Sequence, residues 1–215
     1  MLIVTTPPVS TNLISVGDAY AELGGTDNLT VNDPQYVVAL IAAASSAIVN
    51  WLGQPLAAAT YLEVVRLSAL GGYTRRSKDT LALSRWPVSA ITSIFEGSTA
   101  LVAGVDFEAD LDRGFVYRLD GADSRRSWTA PKISVAYSAG YTLPIGSEAA
   151  GNLPAEITRA CALLVRDCFF ARARDVSIRS VAPDGLTIAF GNGNPGDGMP
   201  KHIEDLLRPW RAPVL

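Results

Sequence analysis

The residues that chemistry most often recruits are sparse in this chain. His202 is the only histidine, and a nucleophile relay needs a base held in place by a third group. It is followed by Ile203, Glu204 and Asp205 near the C-terminal tail; nothing beside it completes a relay, so a surface or interface histidine is expected. Cys161 and Cys168 stand seven residues apart in a helical-looking segment and share a face. Reduced, buried thiols are the expectation, because free cysteines bury readily; a redox pair or metal site wants closer spacing and further ligands. Asp106, Glu108, Asp110 and Asp112 alternate and would face one side of a strand. A helix–loop–helix calcium loop needs Gly at its sixth position and Glu at its twelfth, where this chain has Leu111 and Tyr117. A solvated strand edge leading to a turn at Arg113 and Gly114 is expected instead, with charges that block unwanted pairing. The Gly-rich run 191–198 is not followed by Lys-Ser or Lys-Thr, so it reads as a linker and not as a phosphate loop. No catalytic residue, cofactor site or metal site is assigned, and no acid, base and nucleophile converge as an enzyme requires.

Arginines form the remaining constellation: Arg159, Arg166, Arg172, Arg174 and Arg179. Such a series can touch a phosphate backbone, but Asp167 and Asp175 interrupt it. Salt bridges between subunits are the better expectation for Arg159, Arg166, Arg172 and Arg174. The first 65 residues carry five acids and no Lys or Arg, a net −5, which leaves +2 for the remainder. Complementary charge on one subunit suits a ring in which one face meets the opposite face of a neighbour.

The whole chain has 215 residues, 21 acidic and 18 basic, for a net charge of −3. Near-neutrality argues against wrapping DNA by counterion release. Apolar residues make up 48% and charged ones 18%, which excludes disorder throughout and suggests that neighbouring subunits cover some surface. The N-terminus has neither a basic region nor a long apolar run, so no secretory signal is expected. The apolar run Tyr36 to Leu52 is 17 residues, rich in Ala and without basic flanks. It is short for a membrane span, and a helix buried on all sides is expected.

These residues must be positioned by helices at both ends of the chain and strands between. Residues 1–14 read as extended and poorly ordered, since Pro7 and Pro8 stop a helix. A short helix follows over 15–24, capped by Ser15 and ended by Gly24 and Gly25. Asp33 caps the next helix, Pro34 takes its first position and Gly53 ends it. From residue 59 the pattern turns to short strands spaced 8–12 residues apart: 60–67, 80–83, 88–95, 106–107, 115–118 and 133–137. That spacing argues for an antiparallel module over 59–141. An amphipathic helix runs from Leu153 to about Arg174, carried by Ile157, Ala160, Cys161, Leu164, Val165, Cys168 and Phe169. A hairpin, Val176–Val181 with Leu186–Phe190, and a last helix from Lys201 to about Arg208 complete the chain. The expected fold is α+β in a single domain, 1–215. Residues 15–56 and 153–175 form a small helical core, an antiparallel β module is inserted at 59–141, and 176–215 is a C-terminal arm.

Several strings in this order carry a resemblance. Asp33-Pro34 opens an Ala-rich helix that closes on Asn50-Trp51-Leu52-Gly53-Gln54-Pro55-Leu56. Arg85-Trp86-Pro87-Val88-Ser89-Ala90-Ile91 follows, then Gly104-Val105-Asp106-Phe107, Trp128, Ile133-Ser134-Val135-Ala136-Tyr137 and Leu153-Pro154-Ala155-Glu156-Ile157. In combination these are similar to the head–tail connector, or adaptor, proteins of tailed bacteriophages, over about residues 33–175 and more loosely Leu206 to Arg211. One departure is that Asp18 to Leu23 lacks the Lys that usually precedes a Leu in the family's first helix.

The resemblance implies a structural virion protein without catalysis, made in the host cytoplasm and resident in the neck. It implies a ring, typically of twelve subunits, between the portal protein and a stopper or tail protein, with DNA only as passing cargo and no membrane partner. The family's C-terminal segment often docks on the portal, which nominates Leu206, Leu207, Trp210 and Arg211. Deleting 202–215 is then expected to abolish portal binding and leave the subunit folded. DNA must slide without sticking, so the acidic first third is expected nearer the lumen than the Arg-bearing late helix. A stopper or tail-completion protein is the competing reading; a ligand-binding protein or enzyme is a weaker third.

Overall fold

In the computed structural model, which describes residues 1–25, 33–66, 79–122, 124–146, 151–172, 180–181, 188–189 and 199–211, the chain is α+β and divides into two units. Met1–Val9 and Leu56–Thr142 form a β unit; Ser10–Pro55 and Leu143–Leu215 form a helical one.

The β unit takes in the strands β1 (Leu2–Thr6), β2 (Ala59–Arg66), β3 (Thr80–Ala82), β4 (Val88–Glu96), β5 (Thr99–Ala100), β6 (Phe107–Asp110), β7 (Phe115–Arg118) and β8 (Lys132–Ala139). Five of them make one antiparallel sheet in the order β1-β2-β8-β4-β5; the other three make a second, β3-β7-β6. The two-residue period decides which side of β8 is buried: Ile133, Val135, Tyr137 and Ala139 are inside, and the residues between them are not. These pack with Tyr61, Val65, Leu81, Val88, Ile94, Phe107, Val116 and Trp128 in one apolar cluster. Gly140 follows β8 with φ +105°, and a Cβ there would lie 2.6 Å from the Ala57 carbonyl oxygen. Only glycine allows that close approach of two backbones.

The N-terminal expectation is corrected. Leu2–Thr6 is not a poorly ordered tail but an edge strand paired with β2 from Leu2↔Glu63 to Thr6↔Thr60. Its aliphatic and β-branched residues suit a pleated surface, and the prolines come only after it ends.

The helical unit contains α1 (Val16–Glu22), α2 (Asp33–Leu52), α3 (Ala155–Ala171) and α4 (Lys201–Leu207), the last continued by a 3₁₀ turn, Arg208–Trp210. Ser15 and Asp18 form a reciprocal capping box on α1, which satisfies two otherwise orphaned N–H groups. Leu13 and Ile14, also within the expected tail, are fully buried. Helix α2 is long and apolar enough to cross a membrane by length and composition. Instead Val37, Ile41, Ala44, Ser45, Ile48 and Leu52 form a buried stripe, and the helix packs against α1 and α3. The expectation of burial on every side is corrected: Val38, Ala39, Ala42, Ala43, Ser46 and Ala47 are exposed. Helix α3 contributes Ile157, Ala160, Cys161, Leu164, Val165 and Phe169 to the core, and α4 contributes Ile203 and Leu207.

Within the expected hairpin, β9 (Ser180–Val181) pairs antiparallel with β10 (Ile188–Ala189). Its turn at Pro183 to Gly185, the polar loop 26–32, the stretch 74–78 and the Gly-rich run 191–198 lie outside the described residues.

Candidate functional site

Among the described residues no group of three or more His, Cys, Asp or Glu is placed to hold a metal ion. His202 lies on α4 with its Nε2 3.2 Å from Asp167 Oδ2 on α3, and half its side chain is exposed. That contact joins two helices and positions no nucleophile. Cys161 is buried, and burial pushes its thiol up to about 12 although Ser45 opposes the shift. Cys168, expected to be buried, is exposed; partial desolvation and the charge of Asp167 raise its thiol. Neither sulfur has the depressed pKa of a nucleophile.

The alternating acids separate into different tasks. Asp106 precedes β6: its Oδ2 accepts from the Val102 N–H at 2.9 Å, and its Oδ1 stands 3.4 Å from Arg118 Nη1. Asp110 ends β6 and accepts from the Arg113 N–H at 3.1 Å, at the expected turn. Behind them is a buried pair that the spacing of the acids does not reveal. Arg118 Nε donates to Glu96 Oε2 at 2.8 Å, and each side chain is only 6% exposed. Burial would raise the Glu96 carboxyl, but hydrogen bonds from Thr129, Arg118 and Ala130 outweigh it and hold the carboxyl down to about 2. Glu63 is likewise buried, accepting from Tyr137 Oη at 2.9 Å and from the Ser84 N–H and hydroxyl. Desolvation and the neighbouring Glu63 raise the Tyr137 hydroxyl well above its ordinary value. These networks fix the loops of the β unit.

The arginines of α3 find partners in the same chain. Arg159 and Arg166 both pair with Glu22 of α1, the latter at 2.9 Å. Arg172, just past α3, pairs with Asp33 at the start of α2, and its guanidinium lies over the rings of Phe169 and Tyr36. Arg174 and Arg179 lie outside the described residues. The charge asymmetry seen in the sequence is therefore largely internal. Of the five early acids, Glu22 and Asp33 are paired, Asp18 serves the α1 cap and Glu63 is buried; Asp27 lies outside the described residues. One-dimensional charge counts could not expose this, because the partners stand more than 130 positions apart.

The four C-terminal residues nominated by resemblance are not equivalent. Leu207 is fully buried, Leu206 and Trp210 are half-buried, and Arg211 is exposed. The Arg211 guanidinium lies 5.0 Å from the centroid of the Trp51 ring, at the end of α2. Because Ile203 and Leu207 have no exposed surface, a chain cut before His202 loses part of its core. The expectation that deletion of 202–215 leaves the subunit folded is corrected on that ground.

A family described as HCP, head completion protein, matches residues 12–212. Two solved structures share the fold. One is a chain from the neck of an empty GTA particle, computed with C6 symmetry; the other is from the virion of a native gene transfer agent (GTA) particle. Each is 19% identical with a TM-score of 0.55, and each alignment covers 100% of this chain and 97% of the other. No curated protein matches the chain.

Proposed function

This chain belongs to the head completion protein family, and on that premise we propose that it is a structural protein of the virion neck, an adaptor between the portal and the stopper or tail. The observation that carries the reading is the extent of the family match, which takes in most of both structural units. A fold shared along its length with a chain from a GTA particle neck supports it. That neck was computed with C6 symmetry, and a closed ring of twelve copies is compatible with a six-fold axis. DNA passes through the lumen as cargo. No catalytic residue, cofactor or metal is assigned.

Portal contact falls to the accessible part of the C-terminal segment: Leu206, Trp210 and Arg211, with Leu207 as their anchor in the core. Arg159, Arg166 and Arg172 keep donors beyond their intrachain bonds and half-exposed side chains, which suits contacts with a neighbouring subunit.

Imaging of the particle neck tests the assignment. Particles lacking this protein are expected to keep filled heads without attached tails, and difference density is expected as a ring beneath the portal. Density elsewhere in the particle, or tailed and infective particles without the protein, would overturn it.

A further inference from the structure

Among the described residues, the five-stranded sheet of the β unit has two unlike open edges. On one side is β1, Leu-Ile-Val-Thr-Thr, without a charge. Met1 and Val64 exchange backbone hydrogen bonds, the Met1 amino group donating to the Val64 carbonyl and the Val64 N–H to the Met1 carbonyl. Antiparallel alternation then turns Ile3 toward β2 and leaves the N–H and C=O of Leu2 and Val4 facing outward. Ile3 and Val4 are exposed. On the other side, β5 pairs only with Phe95 and Glu96 of β4. The outer edge of Ser89–Ser93 has no strand beside it among the described residues. That stretch is also uncharged, and Ser89, Ala90 and Thr92 are exposed. An uncharged, unpaired edge is a template for another strand unless something covers it.

We propose that β1 of one copy pairs antiparallel with the Ser89–Ser93 edge of β4 in the next copy, so that neighbouring subunits share one sheet. This rests on the ring reading above and adds the joint that makes the ring. Three features select a second copy as the occupant. The two stretches are the same length, five residues each. Neither carries a charge that would be stranded in the joint. The polarity also fits: all neighbours in β1-β2-β8-β4 are antiparallel, so β1 and β4 run in opposite directions. Copies related by rotation about a ring axis then bring β1 against β4 in the antiparallel sense, and the contact is head-to-tail, the kind that closes into a ring. The register of β4 against β8 shifts at Val88/Ala90 and Ile91/Ser93, and such irregularities raise the local twist at the edge where the joint is proposed. One such joint is small beside the ~1,200–2,000 Å² of a stable interface, so it holds through closure of the ring.

The test uses cysteine pairs on the full chain with Cys168→Ser, since Cys168 is exposed and Cys161 is buried. Ile3→Cys is combined in turn with Ala90→Cys and Thr92→Cys. Ile3 takes the position where an incoming strand's Cα approaches to about 4.5 Å, within disulfide reach. Mild oxidation of assembled protein should give a non-reducing ladder of two, three and more copies with one of the pairs, and none with either cysteine alone. Adding Val4→Lys is expected to reduce the ladder on the order of tenfold, with an unchanged circular dichroism spectrum because Val4 is exposed. Dimers from Ile3→Cys alone would mean two-fold pairing of β1 with itself and would overturn the proposal. Rings in negative stain without a ladder would overturn the edge joint and leave the ring reading standing. Absence of any ring, in solution and in the particle neck, would overturn both.

Discussion

Replacing Leu207 with Ala separates a C-terminal helix that belongs to the fold from one that is a detachable arm. Leu207 has 0% exposure, and a buried Leu→Ala change costs about 2–5 kcal/mol. Helix α4 has only seven residues, well short of the ~12–15 that an isolated helix needs, so it holds its shape by docking. Ile203 and Leu207 supply about 1.5–3 kcal/mol each on burial. The exposed His202–Asp167 contact with α3 adds under about 1 kcal/mol, and the Lys201–Asp205 and Arg208–Asp205 pairs lie within the segment and do not dock it. Removing Leu207 therefore takes about half of the docking energy, and the ordering cost of the helix, about 1 kcal/mol or more per residue, is no longer met. Urea unfolding should show a loss of about 2–5 kcal/mol, and amide exchange should lose protection across 203–211. Arg211→Ala removes the contact with Trp51 and should cost only about 0.5–1 kcal/mol. Paired with Leu206→Asp it should leave the fold intact and weaken portal binding in a pull-down. If Leu207→Ala keeps its protection and loses less than about 0.5 kcal/mol, the docking account is wrong.

Other perturbations probe the remaining networks. Glu96 sits at about 2 in the folded protein against an ordinary 4.5, so its stabilising effect is complete above about pH 5 and lost as pH falls toward 2. The difference amounts to about 3 kcal/mol, and Glu96→Gln should flatten acid unfolding in that window. At neutral pH the same variant should cost about 3 kcal/mol by removing the buried carboxylate closest to Arg118, which then keeps only the longer, partly exposed contact with Asp106; an unchanged midpoint in urea would contradict this. Glu22→Ala removes the shared partner of Arg159 and Arg166, but these are half-exposed pairs, so a double-mutant cycle should return about 1 kcal/mol or less for each. Gly140→Ala must move the Ala57 carbonyl at a positive φ and should cost about 1–3 kcal/mol. Gly104→Ala, with open space around it, should cost less in the same urea series.

The strands and helices could be read from the sequence because their signals are local. Alternation gave β8, three- and four-residue steps gave α3, and Asp33-Pro34 with Gly53 bounded α2. The edge strand β1 is not legible locally, because its partner β2 lies about 60 positions away and two nearby prolines point to disorder. The exposed side of helix α2 is hidden in the sequence because Ala is compatible with either face. Charge roles were the least legible. Glu22 meets Arg159 and Arg166, and Glu96 meets Arg118, through pairings that only tertiary folding creates. The C-terminal nomination could not distinguish Leu206 from Leu207, which differ by one step around a helix and hence by burial.

The chain crosses between its two units three times, after Val9, Pro55 and Thr142, and this sets a timetable for synthesis. The first strand leaves the ribosome long before β2 can receive it, the sheet waits for β8, and the helical unit waits for α4 at the far end. A polypeptide that stops before Thr142 therefore has neither half finished, and one that stops later has the β unit without α4. Until α4 is made, the face of α3 that it covers stays open, so the helical unit closes only after every strand of the five-stranded sheet has been synthesised.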